Sequence, residues 1–312
     1  MKNVVVTGGY GFIGSNLINR LIVRDARVRI HNIDAVTYAA DPSRLPSLIN
    51  IKNIEKRVED PEVKSIIADI KPDIVFHLAA ESHVDNSIKS AAPFYTSNVL
   101  GTLNICEAIV EGSPETKLVH VSTDEVYGSI PLTDKDRVFE PDSAILPNSP
   151  YSASKAASDM VVRSFAFTHE LIATITRCSN NYGPNQHWEK FIPNSIKCAV
   201  EGKPIPVYGD GVNERDWIHV EEHCAGLLIA ATEKAPFIMH FGKGISIPNI
   251  AIAREIAKEL DGTIKFVGDR KGHDEVYRMS YNSSVDLGWA PKRKILDDIP
   301  ELVAHYKSKL IK

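Results

Sequence analysis

The chain has 312 residues, 43% hydrophobic and 24% charged, with a formal net charge of -4. These proportions suit one large α/β unit or a main unit with a smaller companion, and they lack the basic excess of a nucleic-acid binder. Cys106, Cys178, Cys198 and Cys224 are scattered without a CxxC or His/Cys cluster, which predicts reduced thiols and no metal centre. No apolar stretch approaches the roughly 20 residues of a membrane span, and the amino terminus lacks a signal-peptide pattern. A cytoplasmic protein is expected.

The first half alternates short apolar runs with helical spacing. "NVVVTGG" (Asn3 to Gly9) is a β-branched strand closed by glycines, and "GFIGSNLINRLIV" has a helical face at Phe12/Ile13, Leu17 and Leu21. Further strands are predicted over Arg27 to Asp34, Asp73 to Ala80 and Lys117 to Thr123, with helices over Asn98 to Val110 and Ser152 to His169. Alternation of this kind implies a parallel, doubly wound sheet of Rossmann type covered by helices on both faces. Beyond about residue 180, "NNYGPNQHWEKFIP" and "GKPIPVYGDGVNERDW" read as loops and short strands lining a site. Residues 1–180, with core elements from 210–240, are therefore expected to bind a dinucleotide. Residues 181–312 are expected to form mainly a smaller substrate-binding region.

"TGGYGFIG" places Gly8, Gly11 and Gly14 between a strand and a helix. Glycines there permit a tight turn and bring helix-start N–H groups close to a pyrophosphate. Asp34 ends the second strand, where an acid can accept hydrogen bonds from the adenosine ribose and would repel a 2′-phosphate. NAD is the expected cofactor. "YSASK" sets Tyr151 and Lys155 one helical turn apart behind Pro150, a residue suited to a helix start. A lysine ammonium beside a phenol is expected to lower its pKa, allowing the tyrosine to take a hydroxyl proton as hydride leaves for NAD+. "VSTDEVYGS" (Val121 to Ser129) adds two adjacent carboxyl groups after an apolar run. That is either a solvated strand end or an acid/base pair at the carboxyl end of a parallel strand.

Taken together, "TGGYGFIGSN", "NIDAVTYA", "HLAAESHVDNSI", "STDEVYG", "YSASKA", "RCSNNYGP", "EKFIPNSI", "PVYGDG", "ERDWIHVEEH" and "DRKGHD" resemble the extended short-chain dehydrogenases/reductases, and within them the nucleotide-sugar 4,6-dehydratases. The resemblance runs over essentially the full length. It implies a catalytic set of Thr123, Asp124, Glu125 and Tyr151, with Lys155 beside the cofactor. It implies NAD contacts from Phe12, Ile13, Asp34, Ala35, Val36, Thr37, Leu78, Ala79, Ala80, Ser97 and Asn181. Sugar-nucleotide contacts would come from Ser82, Thr123, Asn180, Lys190, Phe191, Pro206, Val207, Tyr208, Arg215, Arg270 and His273. Arg215 and Arg270 would grip the diphosphate, since guanidinium forks suit phosphate oxygens.

In such an enzyme Tyr151 assists C4 oxidation, Glu125 removes the C5 proton, Asp124 protonates the departing C6 hydroxyl, and hydride returns to C6. The paired carboxyls thus favour a dehydratase over a 4-epimerase. dTDP-glucose is the implied substrate and UDP-glucose the alternative. An inert NAD-binding sensor and a sugar-nucleotide binder without turnover are rivals that an intact catalytic set argues against. Where the family has an Asp-Ile pair near the adenine this chain has Arg57 and Val58, and a family asparagine near base and ribose corresponds to His240. The resemblance also implies a homodimer through a four-helix bundle.

Overall fold

A computed structural model describes residues 1–310. The run Asn3–Thr7 forms β1, with Val4, Val5 and Val6 fully buried. A strand apolar at consecutive positions must be covered on both faces, and this one is. Strands β2 (Arg29–Asp34), β3 (Ile51–Glu55), β4 (Ile74–His77), β5 (Lys117–Thr123) and β6 (Ala173–Cys178) follow. Then come β7 (Asn180–Tyr182), β8 (Ile205–Tyr208), β9 (Glu214–His219), β10 (Ile238–Phe241), β11 (Ser246–Pro248) and β12 (Ile264–Val267).

Seven strands make one sheet in the order β3-β2-β1-β4-β5-β6-β10, every pair parallel. This is the Rossmann order with a seventh strand added at the edge. The chain winds outward from β1 through β2 to β3, then restarts on the other side at β4. The resulting switch point between β1 and β4 opens a crevice at the carboxyl ends of the strands. Helices Phe12–Arg24 and Val220–Ala230 close one face of the sheet; Glu62–Ile70, Gly101–Gly112 and Pro150–Thr168 close the other.

A separate core gathers helices Phe191–Val200, Asn249–Leu260 and Ile295–Leu310 around Trp217 and Val207. Two small sheets, β7-β9-β11 and β8-β12, belong to the same half of the chain, and β7 and β9 bring Asn180, Asn181 and Trp217 to the crevice. The loop-rich stretches after residue 180 supply β7, β8 and β9 as short strands.

Some boundaries differ from expectation. β1, β2 and β4 are shorter than expected: β2 begins at Arg29, and beyond β1 and β4 Gly8 and Leu78 to Ala80 leave the strands to line the crevice. Ser149 caps the next helix in a reciprocal box with Ser152, so that helix starts at Pro150 and ends at Thr168. Tyr95–Leu100 is π-helical and leads into the α-helix Gly101–Gly112. Gly101 is required there, since a Cβ would stand 2.5 Å from Val58 Cγ2.

Candidate active site

The crevice holds a cavity of about 360 Å3. At its cofactor end β1 turns through Gly8, whose φ is +73°. A Cβ on Gly8 would lie 2.9 Å from Ala79 Cα, and one on Gly14 would lie 2.2 Å from the Gly8 carbonyl oxygen. These clashes reserve the helix start, Gly11 through Gly14, for close backbone approach, and the turn lines the cavity with Leu78, Ala79 and Ala80. Asp34 is buried at the tip of β2 and accepts from the Tyr10 N–H (2.9 Å) and the Val36 N–H (2.8 Å). Burial raises its pKa; the two N–H donors oppose that rise. A glycine cradle beside an acid on the second strand fits NAD. Ala35, Thr37, Ser97 and Asn181 also line the cavity.

Val36 does not. It sits at φ +49°, rare for a β-branched residue, with its side chain outward and only its amide turned to Asp34. Arg57 and Val58 line the same end, Arg57 reaching Glu59 at 3.3 Å.

At the chemical end β5 finishes at Thr123. The following 3-10 turn, Asp124–Tyr127, is capped by the Thr123 hydroxyl, which accepts from the Glu125 N–H (3.3 Å) and meets Asp124 Oδ1 at 3.1 Å. Asp124 is 2% exposed and its Oδ2 has no hydrogen-bond partner. Burial first, and the neighbouring Glu125 second, push its pKa well above the usual carboxylate range. Glu125 is also raised by burial, but Arg270, Arg215 and Lys190 pull it back. Two adjacent carboxyls are thus separated in acidity, with Asp124 the better proton holder. Both Thr123 and Glu125 face the cavity.

Tyr151 and Lys155 reach the same cavity from the first turns of helix Pro150–Thr168. Lys155 Nζ donates to the Val121 carbonyl at 2.8 Å, and burial lowers its pKa to about 8. The expected depression of the Tyr151 pKa is not found. Burial, then Glu125, Cys178 and Asp124, push the phenol well above its ordinary value, and the Thr123 hydroxyl only partly offsets them. The lysine ammonium is turned to a backbone carbonyl, and the nearer charges are negative.

Of the substrate-side residues, Ser82, Asn180, Lys190 and Phe191 line the cavity, with Lys190 Nζ bonded to the Ser82 carbonyl at 2.8 Å. Six others, Arg215 among them, lie outside its lining. Pro206 and Val207 belong to β8, with Val207 packed into the second core. The Tyr208 hydroxyl donates to Asp85 at 2.9 Å, Arg270 stands 4.0 Å from the same carboxylate, and His273 bonds Asp269 at 2.6 Å.

Arg215 is a further departure from expectation. Its guanidinium donates to the Glu214, Asp274 and Glu275 carbonyls and lies 4.7 Å over the Tyr277 ring, so the fork expected for a diphosphate is already engaged. It acts on the site through its charge beside Glu125. His240 also departs from its expected place by base and ribose. It is fully buried on β10, bonded to Tyr127. Sequence reasoning did not single out Glu81, Gln186, His187 or Glu189, which line the cavity; Glu189 accepts from the Tyr38 hydroxyl at 3.1 Å. Their only signal was proximity to "HLAAES" and "PNQHWEK".

Fold and site define an NAD-dependent enzyme of the short-chain dehydrogenase/reductase class. Residues 4–239 match the NAD dependent epimerase/dehydratase family, and the chain belongs to it. A dTDP-glucose 4,6-dehydratase from Actinoplanes sp. is 38% identical, aligned over 98% of each chain. The low-salt glycan biosynthesis protein Agl12 of Haloferax volcanii is 39% identical over 97% of this chain and 98% of its own. Among solved structures, the DesIV dTDP-glucose 4,6-dehydratase of Streptomyces venezuelae, with NAD and TYD bound, superposes with a TM-score of 0.92. It shares 36% identity, over 98% of this chain and 97% of that one.

Proposed function

We propose that the protein converts dTDP-glucose to dTDP-4-keto-6-deoxyglucose, an NAD-dependent 4,6-dehydration. The observation that carries this reading is the Asp124–Glu125 pair, a buried and a half-buried carboxyl of unequal acidity set beside Tyr151. The dTDP-glucose 4,6-dehydratases among its relatives support the choice of substrate.

Gly8, Gly11, Phe12, Ile13, Gly14, Asp34 and Leu78 to Ala80 would hold NAD, with Asp34 toward the ribose. Bound NAD would supply a hydride acceptor for C4, a positive charge, and, once reduced, the hydride for C6. The positive charge of bound NAD, together with the Lys155 ammonium, would offset the burial and the carboxyls that raise the Tyr151 pKa, so that Tyr151 takes the proton of the C4 hydroxyl while Thr123 hydrogen-bonds the C4 oxygen. The 4-ketone acidifies C5–H, and Glu125 removes that proton. Asp124, held protonated by burial, delivers a proton to the C6 oxygen, which leaves as water. Glu125 then returns a proton to C5. Asn180, Lys190 and Phe191 hold the sugar nucleotide, with Arg270 and Tyr208 closing on it from the outer wall.

In this reading residues 1–180 with 210–240 form the cofactor half and 181–312 mainly the substrate half. The enzyme works as a homodimer in the cytoplasm. Exposed Tyr95, Leu100, Met160 and Phe167 on neighbouring helices support the first of these, and four free cysteines the second.

Incubation with dTDP-glucose and with UDP-glucose separately tests the assignment. A 4-keto product lighter by one water is expected from the first. Epimerisation without loss of water would replace the reading with that of a 4-epimerase.

A further inference from the structure

The acid/base turn rests on a buried polar chain that the proposed chemistry does not use. Tyr127, the last residue of the turn Asp124–Tyr127, is 1% exposed and stacks on Phe139 with centroids 4.9 Å apart. Its hydroxyl meets His240 Nε2 at 2.6 Å. His240 Nδ1 lies 2.8 Å from the Ser280 carbonyl, which can only accept, so Nδ1 carries the ring proton. Nε2 is then the acceptor, and the Tyr127 hydroxyl must donate to it. The phenol oxygen in turn accepts from Arg177 Nη1.

Arg177 is 1% exposed on β6, and its Nε donates to Asp159 Oδ2 at 2.9 Å. Asp159 is fully buried four residues beyond Lys155, on the same face of helix Pro150–Thr168. Donation therefore runs outward from Arg177, one way to Asp159 and the other through Tyr127 and His240 to the Ser280 carbonyl. The chain of bonds joins the helix of Tyr151 and Lys155 to the turn of Asp124 and Glu125, through β6 and β10.

Stability alone is a poor reason for such a chain, because a buried ion pair is often replaceable by apolar side chains at no loss. Its geometry offers another. The turn is closed on its far side by Gly128 at φ +80°, where a Cβ would lie 2.2 Å from the Leu146 carbonyl oxygen. Tyr127 is the point at which the turn is tied downward into the sheet. Lys155 is tied to β5 through Val121, and Asp159 ties the same helix to β6.

We propose that Tyr127, Arg177 and His240 are positioning residues that fix the acid/base carboxyls relative to the Tyr151–Lys155 pair. The proposal rests on the dehydratase reading above. Oxidation at C4 needs Tyr151 and Lys155, which keep their own ties to β5. Elimination needs Asp124 and Glu125 in register with C5 and C6. Loosening the brace should therefore uncouple the two stages.

The test uses the full chain loaded with NAD and dTDP-glucose as substrate, comparing Tyr127→Phe, His240→Leu and His240→Gln with wild type. Thr116→Val, which removes a buried hydroxyl at the far end of β5 bonded to Ser113 and the Pro72 carbonyl, is the structural control. In Tyr127→Phe and His240→Leu, NADH should appear at the wild-type rate in single turnover with KM unchanged. Water loss should slow by on the order of tenfold to a hundredfold, as for a small misplacement of catalytic groups. His240→Gln, which offers an amide oxygen to the Tyr127 hydroxyl, should recover elimination, and Thr116→Val should leave both stages intact.

Full-rate elimination in Tyr127→Phe overturns the proposal. So does an equal fall of oxidation and elimination, the mark of a merely less-folded enzyme. If Tyr127→Phe does not fold, the two His240 variants decide by the same criteria. A wild-type enzyme that oxidises or dehydrates nothing defeats the functional reading instead, and is seen before any variant is made.

Discussion

Asp124 and Glu125 differ by one methylene, yet their surroundings assign them different work. Asp124 is shut in beneath Thr123 with one oxygen unpartnered, while Glu125 shares the field of Arg270, Arg215 and Lys190. Asp124→Asn should leave C4 oxidation intact and slow loss of water, general acid help being worth roughly 10²–10⁴-fold; NADH should accumulate in a single turnover. Glu125→Gln should instead block exchange of the C5 hydrogen with deuterated solvent. If Asp124→Asn turns over at full speed, Glu125 serves both transfers.

The Asp124→Asn enzyme should also melt higher at neutral pH. A carboxyl whose folded pKa is raised penalises folding as pH climbs through that pKa, and the amide removes the penalty. Lys155 works in the opposite sense. Its pKa near 8 means that the buried ammonium costs stability below that pH, and the cost fades as pH rises from about 8 toward the unfolded value. Lys155→Met should therefore be more stable at pH 7, by at most roughly 3 kcal/mol for a shift of this size, and should lose the oxidation step. Equal melting curves with retained oxidation would remove Lys155 from the account.

Among the elements, helix Gly101–Gly112 shows how packing can settle what residue type alone leaves open. Gly→Ala inside a helix ordinarily gains about 1 kcal/mol. At Gly101 the new methyl would stand 2.5 Å from Val58 Cγ2 in a loop anchored by Asn104 to the Val58 and Asp60 carbonyls. Overpacking of about 1–3 kcal/mol should win. Because Val58 lines the cofactor end of the cavity, Gly101→Ala should both lower Tm and weaken NAD binding, measured by melting and by titration.

The signals that were legible in the sequence were local ones. "TGGYGFIG" after a β-branched run, and "STDEVYG" and "YSASK" at a strand end and a helix start, carry their geometry within a few residues. β3 and β6 escaped because "IKNIE" and "ATITRC" mix polar groups into their runs. Arg177 can be buried in β6 only because Asp159, eighteen residues earlier, waits for it. The use of Arg215 by the Asp274 and Glu275 carbonyls, and of His240 by Tyr127, depends equally on partners distant in the chain. A raised rather than lowered Tyr151 pKa followed first from its burial and then from the carboxyls the fold brings near it.

At the scale of the molecule, two surfaces meet at the crevice, the carboxyl ends of a parallel sheet and a lobe with its own core. In the proposed reading the nucleotide lies between them. A thymine methyl adds one apolar group there, so kcat/KM should favour dTDP-glucose over UDP-glucose by the modest factor that roughly 1–3 kcal/mol allows. An equal or reversed preference would move the base assignment and leave the chemistry standing. On the outside, Leu100, Met160 and Phe167 are 53%, 43% and 70% exposed on adjoining helices. Leu100→Glu with Met160→Glu should convert a dimer to a monomer in sedimentation, and a wild-type monomer would refute the proposed assembly.

The most direct test of the central claim, that the paired carboxyls carry out an elimination, is a turnover of dTDP-glucose in deuterated water with the product read by mass and proton spectra. The account predicts a 4-keto sugar nucleotide lighter by one water, with solvent deuterium at C5. A C4 epimer of unchanged formula with its C5 hydrogen retained would contradict it.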